Sequence, residues 1–312
     1  MDAVRLRYAP NEDPIMIDCL LIVVSYKSAN DITSLLSTVP AAMGDLSWCT
    51  LVVNNDPAED LRHIVAAHPG TDLVESGANL GYAGGINRGL ADAPPSRWVV
   101  FLNPDLRLGP GAIALMAAAS GGRDAVVPTL VDDAGLLQYS LRREPSVLGA
   151  LGDALLGGRW PGRPPALGEV ITRSPAYASP GIVDWATGAA LLVPSALVRR
   201  VGPWDADRFF LYSEETDYCR RLRRTGAAIR FIPDALVSHR GGGSGRSEAL
   251  HALQEVNRVR YFHKWHGPYI TTVFAGVVTL NNLLRCHRSR SRVALRALLG
   301  THARRALPGG TR

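Results

Sequence analysis

The sequence predicts an α/β protein: a Rossmann-like, mixed but mainly parallel sheet flanked by helices, with a helical, basic C-terminal extension. Three observations predict it. The apolar runs IDCLLIVV (17–24), TLVV (50–53) and WVVFL (98–102) lack polar alternation, as expected of strands buried on both faces. Segments of helical spacing separate them, which is the βαβα order of a doubly wound sheet. Each run stops in a polar segment, and in open α/β sheets ligands bind beyond the carboxyl ends of the strands.

The elements follow in order. Residues 1–14 read as a flexible arm. After the loop SYKSAN, Asn30 or Asp31 caps a helix with apolar positions Ile32, Leu35, Leu36 and Val39. The second strand ends in Asn54-Asn55-Asp56-Pro57, and a helix near 58–67 and a short strand at 72–76 come next. GANLGYAGGINRGLADA (77–93) runs from a glycine-rich loop into a helix. The strand at 98–102 stops at Asn103-Pro104-Asp105, before a helix at 110–119 and a strand at 125–130. Residues 145–181, rich in Gly, Pro and Arg, read as a long surface loop. Order resumes at VDWATGAALLV (183–193), continues through a helix at 195–201 and an acid-headed helix after FFLY, and returns to a strand over 227–238. The chain is helical in pattern from 247. Residues 270–284 are apolar, and 285–312 carry eight arginines and no acid.

Composition sets outer bounds. With 46% hydrophobic and 20% charged residues the chain is an ordinary globular one. Its net charge of +6 suits an anionic partner: a nucleotide, a lipid phosphate, an anionic membrane or a nucleic acid. Cys19, Cys49, Cys219 and Cys286 form no CxxC pair and no zinc-ligand spacing, so they read as reduced thiols. The first residues lack an apolar core, and no stretch of 18 apolar residues occurs. A secretory signal and a transmembrane helix are therefore not expected.

Four constellations carry chemistry, and each has a plainer reading. Asn103-Pro104-Asp105 puts a carboxylate at a strand end, where it suits a metal; Asn-Pro-Asp is also ordinary turn chemistry. Glu214-Glu215-x-Asp217 opens an amphipathic helix after an aromatic run that can desolvate a carboxylate into a base's working range. Acids also favour helix N-termini, Ser213 can cap, and Asp217 can pair with Arg221. His239 in HRGGGS (239–244) stands before a glycine loop suited to phosphates, or is an exposed turn histidine. Gly81-Tyr82-Ala83-Gly84-Gly85-Ile86-Asn87 lets backbone approach a ligand, or is a tight helix start; it is neither GxGxxG nor a Walker A loop.

In order and spacing, Asn54-Asn55, NLGYAGGINRG, FLNPD, WATGAALLV, FLYSEETDYCRRLRRTG and SHRGGGS resemble the family-2 inverting glycosyltransferases of GT-A fold. The similarity is to their rhamnosyltransferase-like branch and spans about residues 17–265. The resemblance implies transfer of a sugar, rhamnose among the candidates, from a dTDP-, UDP- or GDP-linked donor to an acceptor hydroxyl on a glycan or a polyprenyl-diphosphate-linked glycan. It implies a divalent cation, Mg²⁺ or Mn²⁺, held by Asp105 and His239, with Asn103 replacing the family's first acid. Glu215 would be the base, one methylene longer than the usual Asp, and Glu214 would orient the acceptor. Asn54-Asn55 stands where the family has Asp-Asn to read the base, and Asn87 matches its nucleotide-proximal Asn. Ser25, Tyr26 and Gly84 complete the expected donor side; Trp185, Thr187, Gly188 and Asp217 complete the acceptor side. On this reading residues 15–265 form the glycosyltransferase domain, with 15–130 the nucleotide-binding half and 182–265 the acceptor half. Residues 266–312 form an extension.

The expected location is cytoplasmic, with peripheral contact to the inner face of the membrane through 270–312; a packed helix with a basic tail is the alternative. No nucleic acid is expected. Two competing functions are a sugar-nucleotide nucleotidyltransferase, which SYKSAN fits poorly because it lacks a glycine-rich triphosphate loop, and a non-catalytic binder of nucleotide or nucleic acid. Convergence of Asp105, Glu215 and His239 on one cleft separates the enzyme from the binder.

Overall fold

A computed structural model of the chain describes residues 16–157, 160, 163–241 and 247–309. The arm at 1–14 and Gly242, Gly243 and Ser244 of the late glycine loop lie outside the described residues.

β1 (Ile17–Ser25) is an interior strand of the sheet, between its second and fourth strands. Its alternate residues serve two cores: Cys19, Leu21 and Val23 face one layer of helices, while Leu20, Ile22 and Val24 face the other. α1 (Ala29–Met43) buries Ile32, Leu35, Leu36 and Val39, the stripe the sequence predicts. Its cap differs. Asn30 and Asp31 lie inside the helix, and the Glu59 carboxylate accepts from the main-chain N–H of Ser28 (3.2 Å) and Ala29 (3.4 Å). A remote acid thus supplies the negative charge that the helix N-terminus favours.

β2 (Trp48–Asn54) pairs parallel with β1, and α2 (Arg62–Ala66) is shorter than predicted. β3 (Thr71–Glu75), α3 (Gly81–Ala91) and β4 (Ser96–Leu102) follow. α3 lies close on the sheet because glycines face it: a Cβ on Gly85 would come within 2.6 Å of Val24 Cγ1. β5 (Leu106–Leu108), absent from the sequence reading, precedes α4 (Ala112–Ser120), β6 (Ala125–Val131) and the short β7 (Leu141–Arg142).

The segment at 145–181 is more ordered than predicted. It holds α5 (Val147–Leu155), capped by Ser146 Oγ, which accepts from Gly149 N at 3.0 Å. Small residues Gly149, Ala150, Gly152 and Ala154 form its buried face, so its helical period carries little hydrophobic signal in sequence. β8 (Gly181–Val183), β9 (Trp185–Ala186), β10 (Ala190–Pro194), α6 (Ser195–Val201), α7 (Glu214–Arg224) and β11 (Ile229–His239) complete the sheet layer. α8 (Glu248–Trp265), α9 (Pro268–Leu283), α10 (Ser289–Leu299) and α11 (Thr301–Arg305) end the chain.

The main sheet runs β3-β2-β1-β4-β10-β6-β11-β5, with β8 on β11. β1, β2, β3, β4, β6 and β11 point one way; β10, β5 and β8 oppose them. β10 therefore starts where β4 ends, with Ala190 opposite Leu102. β5 runs back along β11, with Leu106 opposite His239. Both reversals deliver loops to the edge where the parallel strands finish.

α9 is not a free extension. Phe274 stacks on Phe262 of α8 at 4.0 Å, and buried Asn282 donates to Glu255 Oε2 at 2.8 Å. No helix among the described residues is long and apolar enough to cross a membrane.

Replacing Gly85 with alanine should push α3 off Val24. The expected cost is about 1–3 kcal/mol despite alanine's better helix propensity, read as a lower urea midpoint with unchanged slope.

Candidate active site

Asp105 comes to the sheet edge by a short path. β4 ends at Leu102, and Asn103 N donates to Ala189 O at 2.8 Å, tying the turn to the start of β10. β5 then sets Asp105 beside His239, with Oδ1 to Nε2 3.5 Å. The other ring nitrogen, Nδ1, meets Gln138 Oε1 at 3.0 Å, while Gln138 Nε2 donates to His239 O at 2.6 Å. That amide orientation makes Nδ1 the donor and turns the Nε2 lone pair toward the Asp105 carboxylate. Two acceptors facing each other call for a cation or a proton between them. Burial works against charge on Asp105, but the hydrogen bond and charge of His239, with Arg240, hold its carboxyl below the usual range. Asp105 and His239 stand as a pair: among the described residues no cluster of three or more metal-ligating acids, histidines or cysteines forms.

The second feature is the head of α7. Tyr212 and Ser213 have φ of 69° and 70°, a left-handed conformation unfavourable for non-glycine residues. Asn257 of α8 holds this turn by donating to Leu211 O (2.9 Å) and Tyr212 O (3.2 Å). Ser213 occupies the cap position but makes no side-chain cap bond, contrary to the sequence reading. Phe210, Leu211 and Tyr212 pack on the cluster formed by α8 and α10. The turn drives Glu214 and Glu215 inward, where one Oε2 atom of each is buried without a partner. The two carboxyls hydrogen-bond each other.

Their environments differ. Burial, then the charge of Glu215, pushes the Glu214 carboxyl well above its ordinary value. Burial also raises Glu215, but main-chain N–H bonding, the nearby Arg142 guanidinium and the bond from Glu214 oppose this. Both carboxyls are thus raised, so the pair tends to hold one proton between them, and the Arg142 charge favours ionisation on the Glu215 side.

Tyr82 links the two features. Its phenol donates to Gly188 O at 3.3 Å. Burial raises its pKa first, and the charges of Glu214, Glu215 and Asp105 add to the rise, so all three acids act on one hydroxyl. Gly188 lies against Glu215: a Cβ there would stand 3.2 Å from Glu215 Cβ. Asn103 is bonded to the next residue, Ala189. The strand end at 103–105, the start of β10 and the head of α7 therefore form one rim.

Several expected ligands have other work in this structure. Asn87 spends both ends of its amide on Trp204, donating to its O at 2.8 Å and accepting from its N at 2.9 Å. It clips in place an aromatic seam in which Trp204 stacks on Tyr218 at 4.3 Å. Asn54 donates to Glu59 O and Glu75 Oε2, and Asn55 donates to Gly81 O and accepts from Leu80 N. Both amides are buried, so they shape the rim and leave no free edge for a base. Gly84 sits within α3 with its α carbon toward Leu80. Ser25 is buried with an unpartnered Oγ, whereas Tyr26 is exposed.

Asp217, expected on the acceptor side, ties two helices together. Fully buried, it takes Arg221 Nε at 2.9 Å, Lys264 Nζ at 2.7 Å and Trp265 Nε1 at 2.9 Å, joining α7 to α8. Trp185 is buried, donates to Arg143 O at 2.9 Å and packs under the Arg142 guanidinium. Thr187 holds its loop by donating its N–H to Ser140 O at 3.0 Å. Sequence reasoning missed Tyr82 as a contact, Gln138 and Arg142. Tyr82 lay inside a quoted motif; Gln138 and Arg142 carry no local signal, because only tertiary pairing brings them to the rim.

Removing Asp217 by alanine should cost about 3 kcal/mol in urea denaturation, because Trp265 and the half-buried Arg221 and Lys264 lose a shared acceptor. A change in acceptor KM with intact stability would instead mark it as a ligand. Glu214 gives a pH signature. Its folded-state pKa exceeds the unfolded one, so the folded protein keeps a proton that the unfolded chain releases. Stability is full below the ordinary carboxylate range and falls as pH rises toward the raised value, by up to about 1.4 kcal/mol per pH unit. Denaturation across that window should show the fall in wild type and a flatter profile in Glu214→Gln.

No family model matches the chain. It is 29% identical over 311 residues to an N-acetylglucosaminyl-diphospho-decaprenol L-rhamnosyltransferase of Mycobacterium tuberculosis, covering 92% of this chain and 100% of that protein. It is 24% identical over 239 residues to rhamnosyltransferase WbbL of Escherichia coli, covering 73% and 85%. Among solved structures, GalNAc-T7 with UDP, GalNAc and Mn²⁺ matches with a TM-score of 0.61 at 13% identity, over 86% of this chain and 52% of that one. The chain thus spans about half the length of that neighbour. TarS 1-349 of S. aureus in complex with UDP-GlcNAc matches with a TM-score of 0.54 at 15% identity, over 94% and 82%. The chain thus resembles rhamnosyltransferases, one of them over nearly its whole length, and shares the fold of both solved glycosyltransferases.

Proposed function

We propose that the chain transfers a deoxyhexose, rhamnose in particular, from a nucleotide-diphosphate donor to a hydroxyl of a polyprenyl-diphosphate-linked glycan, with inversion at the anomeric carbon. The observation that carries the mechanism is the inward-turned Glu214–Glu215 pair, set against Gly188 on the rim that Asp105 and His239 share. The donor and acceptor classes rest on the relatives, one of which is named for a diphospho-decaprenol acceptor.

Glu215, the ionising carboxylate, takes the proton of the acceptor hydroxyl. The acceptor oxygen bonds to the anomeric carbon on the face opposite the diphosphate. The carbon–oxygen bond to the diphosphate breaks, and its electron pair leaves with the phosphate. Glu214, keeping its own proton, donates to Glu215 and fixes its orientation; Arg142 favours its ionised form. Gly188 leaves the Glu215 side chain clear, and a residue with a Cβ there would crowd it.

The facing acceptors Asp105 Oδ1 and His239 Nε2 fit a divalent cation, Mg²⁺ or Mn²⁺, with phosphate oxygens and water completing its shell. Such a cation would supply charge neutralisation for the leaving diphosphate. Gln138 fixes the histidine tautomer for that role. Since Asn54 and Asn55 are spent internally, the donor's base meets main chain and loop, and UDP, dTDP and GDP donors all remain to be screened. A lipid-linked acceptor places the enzyme at the inner face of the membrane.

The test is a screen of the purified protein with Mn²⁺ and UDP-, dTDP- and GDP-sugars, scored by nucleotide diphosphate release with and without a polyprenyl-diphosphate glycan. Glu215→Gln should reduce transfer by roughly 100-fold or more while donor binding persists. Undiminished transfer would remove Glu215 as base. Asp105→Ala should weaken donor binding only when the cation is present.

A further inference from the structure

The C-terminal helices present an apolar surface that neither the catalytic rim nor the core uses. α9 buries Thr271, Phe274, Val278 and Asn282 and turns the opposite side outward. That outer side carries Tyr269 (89% exposed), Val273 (54%) and Leu283 (55%). The spacing is that of one helical stripe. No charged residue interrupts α9, which is about 24 Å long.

α5 widens this face. Arg285, just past α9, donates to Ala154 O at 3.0 Å and Asp153 O at 3.3 Å, fastening the C-terminal ends of the two helices together. At their other ends, Leu148 of α5 and Ile270 of α9 line one apolar groove with Val147 and Phe262. Leu148 and Leu155 are themselves 58% and 54% exposed. Scattered exposed apolar residues are normal; here they recur on two neighbouring helices that share a groove.

Charge at the patch is of one sign. No Asp or Glu follows Glu255. Part of the arginine run is used internally: Arg285 on α5, Arg292 on Cys286 O and His287 O, and Arg304 on Ala297 O and Leu298 O. The side chains of Arg288, Arg290 and Arg296 are exposed and form no hydrogen bond or ion pair among the described residues. Arg288 and Arg290 follow within seven residues of Leu283, the last exposed residue of the α9 stripe, and Arg296 lies on α10.

We infer that the α5–α9 face is a docking surface for an anionic lipid bilayer, with the apolar stripe set at the boundary of headgroups and acyl chains and the free arginines on lipid phosphates. The combination of uncharged apolar side chains with unpaired cations fits that interface, where burial and surface potential act together. A second copy of the chain would bring like charges together. The surface serves the reaction by distance. Leu148 follows Arg142, whose charge acts on Glu215, by six positions, so this end of the docked face lies within roughly 20 Å of Arg142. This use of the surface rests on the proposed lipid-linked acceptor; the binding itself does not.

Co-sedimentation of the full chain with vesicles tests it. Vesicles of phosphatidylcholine mixed with phosphatidylglycerol should carry the protein down, and phosphatidylcholine alone should do so far less. Arg288→Ala with Arg290→Ala should weaken partitioning by roughly thirty-fold, and high salt should do the same. Tyr269→Glu with Val273→Glu should abolish it while leaving the melting temperature and transfer to a water-soluble acceptor unchanged; both sites are exposed, and the arginine variants report independently should this pair misfold. Wild-type protein that stays in the supernatant, variants that bind as wild type does, or a dimer in sedimentation velocity that Tyr269→Glu dissociates would overturn the inference. Glu215→Gln protein should still bind vesicles, so a failed catalytic assignment and a failed docking assignment give different results.

Discussion

β10 runs antiparallel between two strands of the opposite sense, and the catalytic rim depends on that reversal. A parallel strand at this position would end beside Leu102. An antiparallel one begins there, so the chain leading into it, Thr187-Gly188-Ala189, arrives at the edge where β4 delivers Asn103 and Asp105. Gly188 then lies against Glu215 and its carbonyl receives Tyr82. The second reversal, β5 on β11, works in the same way and sets Asp105 beside His239. Two changes of strand direction thus bring the Asp105–His239 pair and the Glu214–Glu215 pair to one sheet edge.

The acid corner is held under tension. Two successive non-glycine residues in the left-handed region cost of order 1 kcal/mol each, and two neighbouring carboxyls are driven into a poorly solvated position. The offsetting contacts come from behind. Asn257 receives the strained carbonyls, Asp217 locks α7 to Lys264 and Trp265, and the Trp204–Tyr218 stack fills the space beneath. That frame holds the two glutamates together, and burial raises both carboxyls. Chemistry at Glu215 is in this sense a product of packing around Glu214, Asp217 and Asn257.

The C-terminal helices belong to the same frame. α8 supplies Asn257, Lys264 and Trp265 to the acid corner, and its Arg258 pairs with Glu169 at 3.1 Å. α9 packs on α8 through the Phe262–Phe274 stack and on α5 through Arg285. Residues that an amphipathic reading separates as an extension therefore connect through packing to the head of α7.

Much of the fold was legible in the sequence for a simple reason: strands buried on both faces and a helix stripe such as Ile32, Leu35, Leu36 and Val39 are local patterns whose period decides their form. The chemistry-bearing types at 105, 214–215 and 239 were legible too, since an acid or histidine at a strand end or helix head stands out against its neighbours. What escaped was everything settled by long-range pairing. α5 escaped because its buried face is glycine and alanine; β5 because three residues find strand geometry only against β11. Asn54, Asn55, Asn87 and Asp217 have side chains fit for ligands, yet tertiary neighbours consume their hydrogen bonds. By itself the sequence determined the layered α/β architecture and which groups can hold a cation or move a proton. Tertiary structure alone decided which of those groups remain free to do so, because a hydrogen-bonding side chain is a ligand only where the fold leaves it without a partner.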